Sequence, residues 1–236
     1  MDGGTATPAR RPLAETVPSL VDAAQDFVRE QILAGEYPPG HRLKEHDLAQ
    51  ETGISRIPIR EALRALSAEG FVTLVPRRGA IVTELNSTIV EEIFEIRLVL
   101  EPFVTGLAAE RATEEQLEQL LSNVELADTA MRDGVDAVAH EAKIRFHEIM
   151  IGAGQNRALA RMVQPVKNLQ DWVLRLSDHE ALSNEEHREI AEAVAARDAE
   201  RAVELARKHV LAAKKVAMET VERRHRRELP GEPDGK

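Results

Sequence analysis

Between its first helix and its C-terminal tail, this chain leaves the helical spacing of apolar residues in only one short stretch. There Phe71-Val72-Thr73-Leu74-Val75 and Ala80-Ile81-Val82-Thr83 read as two strands around a turn at Pro76-Arg77-Arg78-Gly79. Three helical segments precede the hairpin, and no strand signal follows Asn86. That order predicts a mainly α protein, an N-terminal winged helix-turn-helix followed by a C-terminal all-α helical bundle.

Caps and breakers set the boundaries. Residues 1–17, rich in Gly, Thr, Ala and Pro and without apolar period, read as a flexible arm. The winged domain takes 18–85. Its first helix, from about Ser19 to Gly35, carries Leu20, Ala24, Phe27, Val28, Ile32 and Leu33 at helical spacing, and Tyr37-Pro38-Pro39-Gly40 ends it. A second helix covers 45–52 and stops at Gly53. Ser55 is placed to cap a third, which tolerates Pro58 in its first turn and ends near Gly70. The bundle takes 86–228, with helices over 88–111, 114–132, 135–153, 157–178, 184–197 and 199–226. Thr113-Glu114-Glu115-Gln116 and Ser183-Asn184-Glu185-Glu186 have capping-box form, and Pro102 and Pro165 are expected to kink or interrupt their helices. Residues 229–236 read as a disordered tail.

Hydrophobic residues make up 43% and charged residues 31% of the chain, the balance of a folded, soluble protein. No apolar run approaches the roughly 18–20 residues of a membrane span, and the first residues lack a signal peptide's apolar segment. A cytoplasmic protein with no membrane partner is therefore expected. The chain has no cysteine, so a metal site has to be built from His, Asp or Glu.

A net charge of -10 argues against a generally basic surface, so nucleic-acid binding needs a local patch. With Ile59 as origin and about 100° per residue, Leu63 and Leu66 fall within about 40° of it while Arg56, Arg60 and Arg64 cluster near 100°. One face packs; the next is cationic. Arginines on a single exposed helix face are usually just solvated. Here, however, five arginines stand against Glu61 and Glu69 between Thr52 and Ala80, a local charge of +3 in a chain of -10. Such a helix suits the major groove, where arginine forks onto guanine, and Arg77 and Arg78 at the hairpin tip suit the phosphates or the minor groove.

The same residues carry a family likeness. Leu33-Ala34-Gly35, Pro38-Pro39-Gly40-His41-Arg42-Leu43, Asp47-Leu48-Ala49 and Gly53-Ile54-Ser55-Arg56-Ile57-Pro58-Ile59-Arg60-Glu61-Ala62-Leu63, continued by Leu66, Glu69-Gly70 and Arg77-Arg78-Gly79, resemble the GntR superfamily of bacterial transcription regulators. The resemblance implies that Arg42, Ser55, Arg56, Ile57, Arg60 and Arg64 face DNA, and that Gly79 lets the wing approach the duplex closely. His46 stands where relatives usually carry an arginine that reaches DNA.

The second half resembles the FadR-like subfamily with an FCD-type helical effector domain. Glu95-Ile96-Arg97 with Leu100-Glu101, Phe146-His147, Gly154-Gln155-Asn156, Glu186-His187-Arg188 and Ala206-Arg207-Lys208-His209 carry this likeness. It implies that His147, His187 and His209 project into the bundle and hold one divalent metal. Three neutral imidazoles suit Zn²⁺ or Ni²⁺. The carboxylate that relatives place one turn before the Phe-His pair is Lys143 here, and an ammonium there repels a cation. Lone histidines on bundle helices are more often structural than ligating. Without metal, Arg97, Lys143, Asn156 and the histidines would bind an anionic effector directly, an organic or sugar acid. His140 either joins them or faces water.

These readings converge on a homodimeric repressor that binds an inverted-repeat DNA operator and responds to a small carboxylate, and that is not an enzyme. The rivals are a three-histidine metalloenzyme with an accessory DNA-binding domain, disfavoured because no general base is expected beside the histidines, and a purely structural dimerisation bundle.

Overall fold

A computed structural model describes residues 19–76, 78–176 and 184–228. They divide into two compact units, one of residues up to Ala68 together with Val72–Val82, the other of Glu69–Phe71 together with Thr83 onward.

The first unit contains α1 (Leu20–Ala34), β1 (Arg42–Leu43), α2 (Glu45–Thr52), α3 (Arg56–Ala68), β2 (Val72–Val75) and β3 (Gly79–Val82). Ser19 and Asp22 form a reciprocal capping box at the start of α1, and Gly35, at φ 82°, closes it in the left-handed conformation. Val28 and Ile32 of α1 and Ile59, Leu63 and Leu66 of α3 are buried, as their spacing requires. Strand β1 was not anticipated from the sequence. Two residues are too few to show a period, and β1 exists because β3 has a second edge to satisfy: Arg42 pairs with Ile81 and Leu43 with Ala80, giving the antiparallel order β1-β3-β2.

That third strand also explains Gly79, which the sequence reading assigned to close approach of DNA. Gly79 has φ 91°, and a Cβ there would collide with the Leu43 carbonyl oxygen. The residue is required by the sheet itself.

The second unit contains α4 (Ser87–Arg111), α5 (Glu114–Arg132), α6 (Asp136–Ala153), α7 (Arg157–Leu176), α8 (Glu185–Ala195) and α9 (Ala199–Glu228). Asn86 caps α4 by accepting from the Ile89 N–H, and Thr113 and Gln116 form the expected capping box on α5. Ser183 lies outside the described residues. Asn184 is the N-cap of α8, but its side-chain amide donates to the Val124 carbonyl and Asp128 on α5 instead of capping. Pro102 and Pro165 both lie inside continuous helices, so of the expected kink or interruption the interruption does not occur. Helix α4 lies chiefly along α9 and α5 along α6. Val104, Leu107, Leu120, Phe146, Met150, Ile190 and Val194 build the main core between them. Phe71 stacks on the buried Trp172 at 5.5 Å.

Replacing Gly79 by Ala forces both a positive φ and the clash with Leu43, a strain of about 1–3 kcal/mol. The variant is expected to melt at lower temperature by circular dichroism; an unchanged melting curve contradicts this account of the wing.

The DNA-reading face and the bundle cavity

Helix α3 turns Ile59, Ala62, Leu63 and Leu66 inward, which leaves Arg56, Arg60 and Arg64 exposed along its other side. Ile57, 72% exposed, stands at the helix N-terminus beside Ser55, an apolar group in water with no neighbour to cover it. Arg42 on β1, His46 on α2 and Arg78 at the wing are exposed as well. Arg77 lies outside the described residues.

Glu45, at the first turn of α2, was not singled out from the sequence. Its carboxylate accepts from Arg60 Nε and Nη2 at 2.7 Å each and from Arg56 Nη2 at 3.4 Å. The hydrogen bond from Arg60, helped by the charges of Arg60 and Arg56, holds the Glu45 carboxyl below its usual range. Glu45 therefore fixes two guanidinium planes on the reading face. Arg64 pairs with Glu61 of its own helix at 2.7 Å.

In the bundle, residues of α4, α6, α7, α8 and α9 line a small, partly open cavity. Arg97, only 1% exposed, reaches its wall from α4 and stacks over the Phe94 ring at 4.4 Å. Its Nε donates to Glu101 at 2.5 Å and its Nη2 at 3.3 Å, while Nη1 is buried without a hydrogen-bond partner. Burial would raise the Glu101 carboxyl; the Arg97 guanidinium, with smaller help from His147 and His209, holds it down to about 2. Lys167 on the same wall is held by Asp171 at 2.9 Å and Glu148 at 3.2 Å.

The three histidines converge. One ring nitrogen from each of His147, His187 and His209 lies within 4.8 Å of the others. Burial pushes His147 down to about 3, against the pull of Glu101, and pushes His187 well below its ordinary value, so both rings are neutral donors. Both nitrogens of His187 are buried with no hydrogen-bond partner, and its ring stacks on Phe146 at 4.1 Å. His209 is oriented by Glu186, which meets Nδ1 at 2.8 Å and leaves Nε2 for the cluster. Three convergent imidazoles, one of them orphaned, fit a borderline divalent ion such as Zn²⁺ or Ni²⁺.

Three expected residues do not line the cavity: His187, which meets the other two histidines without forming part of the wall, Asn156 and Lys143. Asn156 caps α7, accepting from the Leu159 N–H at 3.0 Å, and is absent from the wall. Lys143 is half-buried and also off the wall, although its charge is felt at His187; burial lowers its own affinity for a proton. His140 is partly buried and does not line the cavity either. Conversely Glu101, Lys167, Gln170 and Glu186 belong to this region without having been anticipated. Of these, Glu101 is paired with Arg97 and Glu186 with His209.

These environments set an acid limit. The ordinary values are 6.5 for histidine and 4.5 for glutamate, against about 3 for folded His147 and about 2 for folded Glu101. The unfolded chain thus binds more protons on acidification, so this stability is full above about pH 6.5 and is lost as pH falls toward 3 and then 2. Metal-stripped protein is expected to lose up to about 1.4 kcal/mol per pH unit from His147 as pH falls from about 6.5 toward 3. His147→Gln should flatten that slope in pH-dependent melting; an unaltered slope contradicts the assignment.

Comparison with known proteins matches residues 20–82 to the family described as bacterial regulatory proteins, gntR family, and residues 92–212 to the FCD domain. The HTH-type transcriptional regulator YdhC of Bacillus subtilis (strain 168) is 34% identical over 190 residues, covering 78% of this chain and 83% of that protein. The galactonate operon transcriptional repressor of Escherichia coli (strain K12) is 30% identical over 163 residues, covering 60% of this chain and 69% of that one. Among solved structures, E. coli McbR/YncC shares the fold with a TM-score of 0.70 at 22% identity, covering 88% of this chain and 99% of its own. The winged helix-turn-helix and the helical bundle thus have their counterparts in known regulators, and the chain belongs to the GntR family of transcription regulators, with an FCD domain as its C-terminal part.

Proposed function

We propose that this regulator is a repressor that binds an inverted-repeat operator as a homodimer, and that a small carboxylate entering the bundle cavity changes its grip on DNA. The observation that carries the effector reading is Arg97. A guanidinium this deeply buried, with Nη1 unpartnered on a cavity wall, offers a charge-assisted hydrogen bond to an anion that reaches it. The relative that represses a galactonate operon supports repression as the mode of action. His147, His187 and His209 would hold a divalent metal, which when bound supplies a Lewis acid for a carboxylate oxygen. Arg97 would orient that carboxylate, Glu186 keeps His209 turned inward, and Lys143 adds positive field behind His187. A coupling of about 1–3 kcal/mol between the two sites suffices for a regulator of this kind.

Arg56, Arg60 and Ile57 read the major groove in this proposal, with Arg64, Arg42, Ser55 and His46 beside them and Arg78 of the wing on the backbone. A second copy is supported by an apolar stripe on α4. Ile96, Val99 and Phe103 are 46%, 70% and 56% exposed, and their spacing puts them on one side of the helix.

Arg60→Ala is expected to weaken operator binding by about 1–3 kcal/mol, the worth of one bidentate contact, with melting unchanged. Wild-type affinity in a gel-shift titration would remove α3 from the groove. Phe103→Glu should shift the protein from dimer to monomer in sedimentation velocity; a persistent dimer would place the seam elsewhere.

A further inference from the structure

The proposed effector site also constrains the body of its ligand, because the polar side chains on its wall are largely paired with one another or turned to the histidine cluster. Thr105 donates its hydroxyl to the Glu101 carbonyl, and Lys167 is held by Asp171 and Glu148. Glu101 is held by Arg97, Gln170 meets His147 at 3.4 Å, and His209 is held by Glu186. Arg97 lines that wall and keeps its Nη1 buried without a hydrogen-bond partner among the described residues. The remaining surface is formed largely by Val104, Met150, Ile151, Val163, Val166 and Ile190.

We infer that the effector is an amphipathic monocarboxylate, one carboxylate on Arg97 and an aliphatic or aromatic body along the Val104, Met150, Val163 and Ile190 wall, and not a polyhydroxylated sugar acid. A carboxylate recovers on the guanidinium what it loses in water. A chain of hydroxyls laid against methyl and methylene groups loses its water and gains no partner, whereas an alkyl or aryl body gains from the same transfer. The inference rests on the reading of the cavity as the effector site.

Galactonate and hexanoate separate the possibilities, since they have the same carbon count and charge and differ in their hydroxyls. Full-length protein, once chelator-treated and once reloaded with Zn²⁺, would be titrated calorimetrically with galactonate and with straight-chain acids from butanoate to decanoate. Hexanoate or a longer acid is expected to bind at least about a hundredfold more tightly than galactonate, since even one added hydroxyl in an apolar pocket costs about that much. That binding should show the negative heat-capacity change of apolar burial. Arg97→Lys should weaken it tenfold or more, and Val163→Thr, which keeps the shape of the wall and adds a hydroxyl, should narrow the gap between the two acids. Equal or tighter binding of galactonate overturns this inference while leaving the carboxylate reading intact. Binding of no acid in the series by either form overturns both.

Discussion

Arg97 takes a permanent charge into the interior of a helical bundle, where an ion persists only beside a counter-ion and with its hydrogen bonds met. Glu101, one turn along the same helix, answers two of the three guanidinium nitrogens, and the Phe94 ring covers the plane. Much of the cavity follows from that pair. It fixes which side of α4 faces the histidines, and it supplies the negative charge that opposes the desolvation of His147. It also leaves one nitrogen, Nη1, as a fixed cationic edge. Removing either member would strand the other as an uncompensated ion, so the pair is more demanding of its surroundings than an i,i+4 pair on a helix surface.

The reading head uses the same chemistry at the surface. Glu45 gathers Arg60 and Arg56, but Arg60 keeps 47% of its side chain in water. Screening makes such an exposed pair weak, and that weakness suits the task. An arginine that must meet phosphates or base edges cannot be locked away, yet a guanidinium oriented beforehand loses less freedom on binding. One carboxylate on α2 therefore arranges α3 for contact without removing its charge from solvent.

What could be read in advance was mostly periodic or punctuated. The α5 capping box, the Ile59, Leu63 and Leu66 stripe and the hairpin around Pro76 are local patterns, and local patterns survive in sequence. Strand β1 was hidden because its cause lies in the unsatisfied edge of β3, far along the chain. Glu45 was hidden for the same reason, since no spacing rule connects it to Arg60 across a turn. Glu101 lay within a quoted motif, but a glutamate four residues after an arginine reads as a solvated pair until burial is known. Asn156 shows the opposite failure. An asparagine after a glycine-rich turn is also a helix cap, and capping is what the start of α7 uses it for. The histidines converged as the family likeness implied, whereas Lys143, on the same helix one turn away, sits off the cavity wall. Shared helix face is a coarser criterion than shared cavity.

The placement of the aromatic residues gives the molecule two separate optical addresses. The chain has one tryptophan and one tyrosine. Trp172 is fully buried in the bundle, two positions from the wall residue Gln170, whereas Tyr37 belongs to the winged unit and donates its hydroxyl to Glu51 at 2.7 Å. Indole emission thus arises from the effector domain, where Trp172 stacks on Phe71, and phenol emission from the reading head. A titration of either partner, small molecule or duplex, can be assigned to the domain that feels it by the wavelength that changes, with no label attached and no residue replaced.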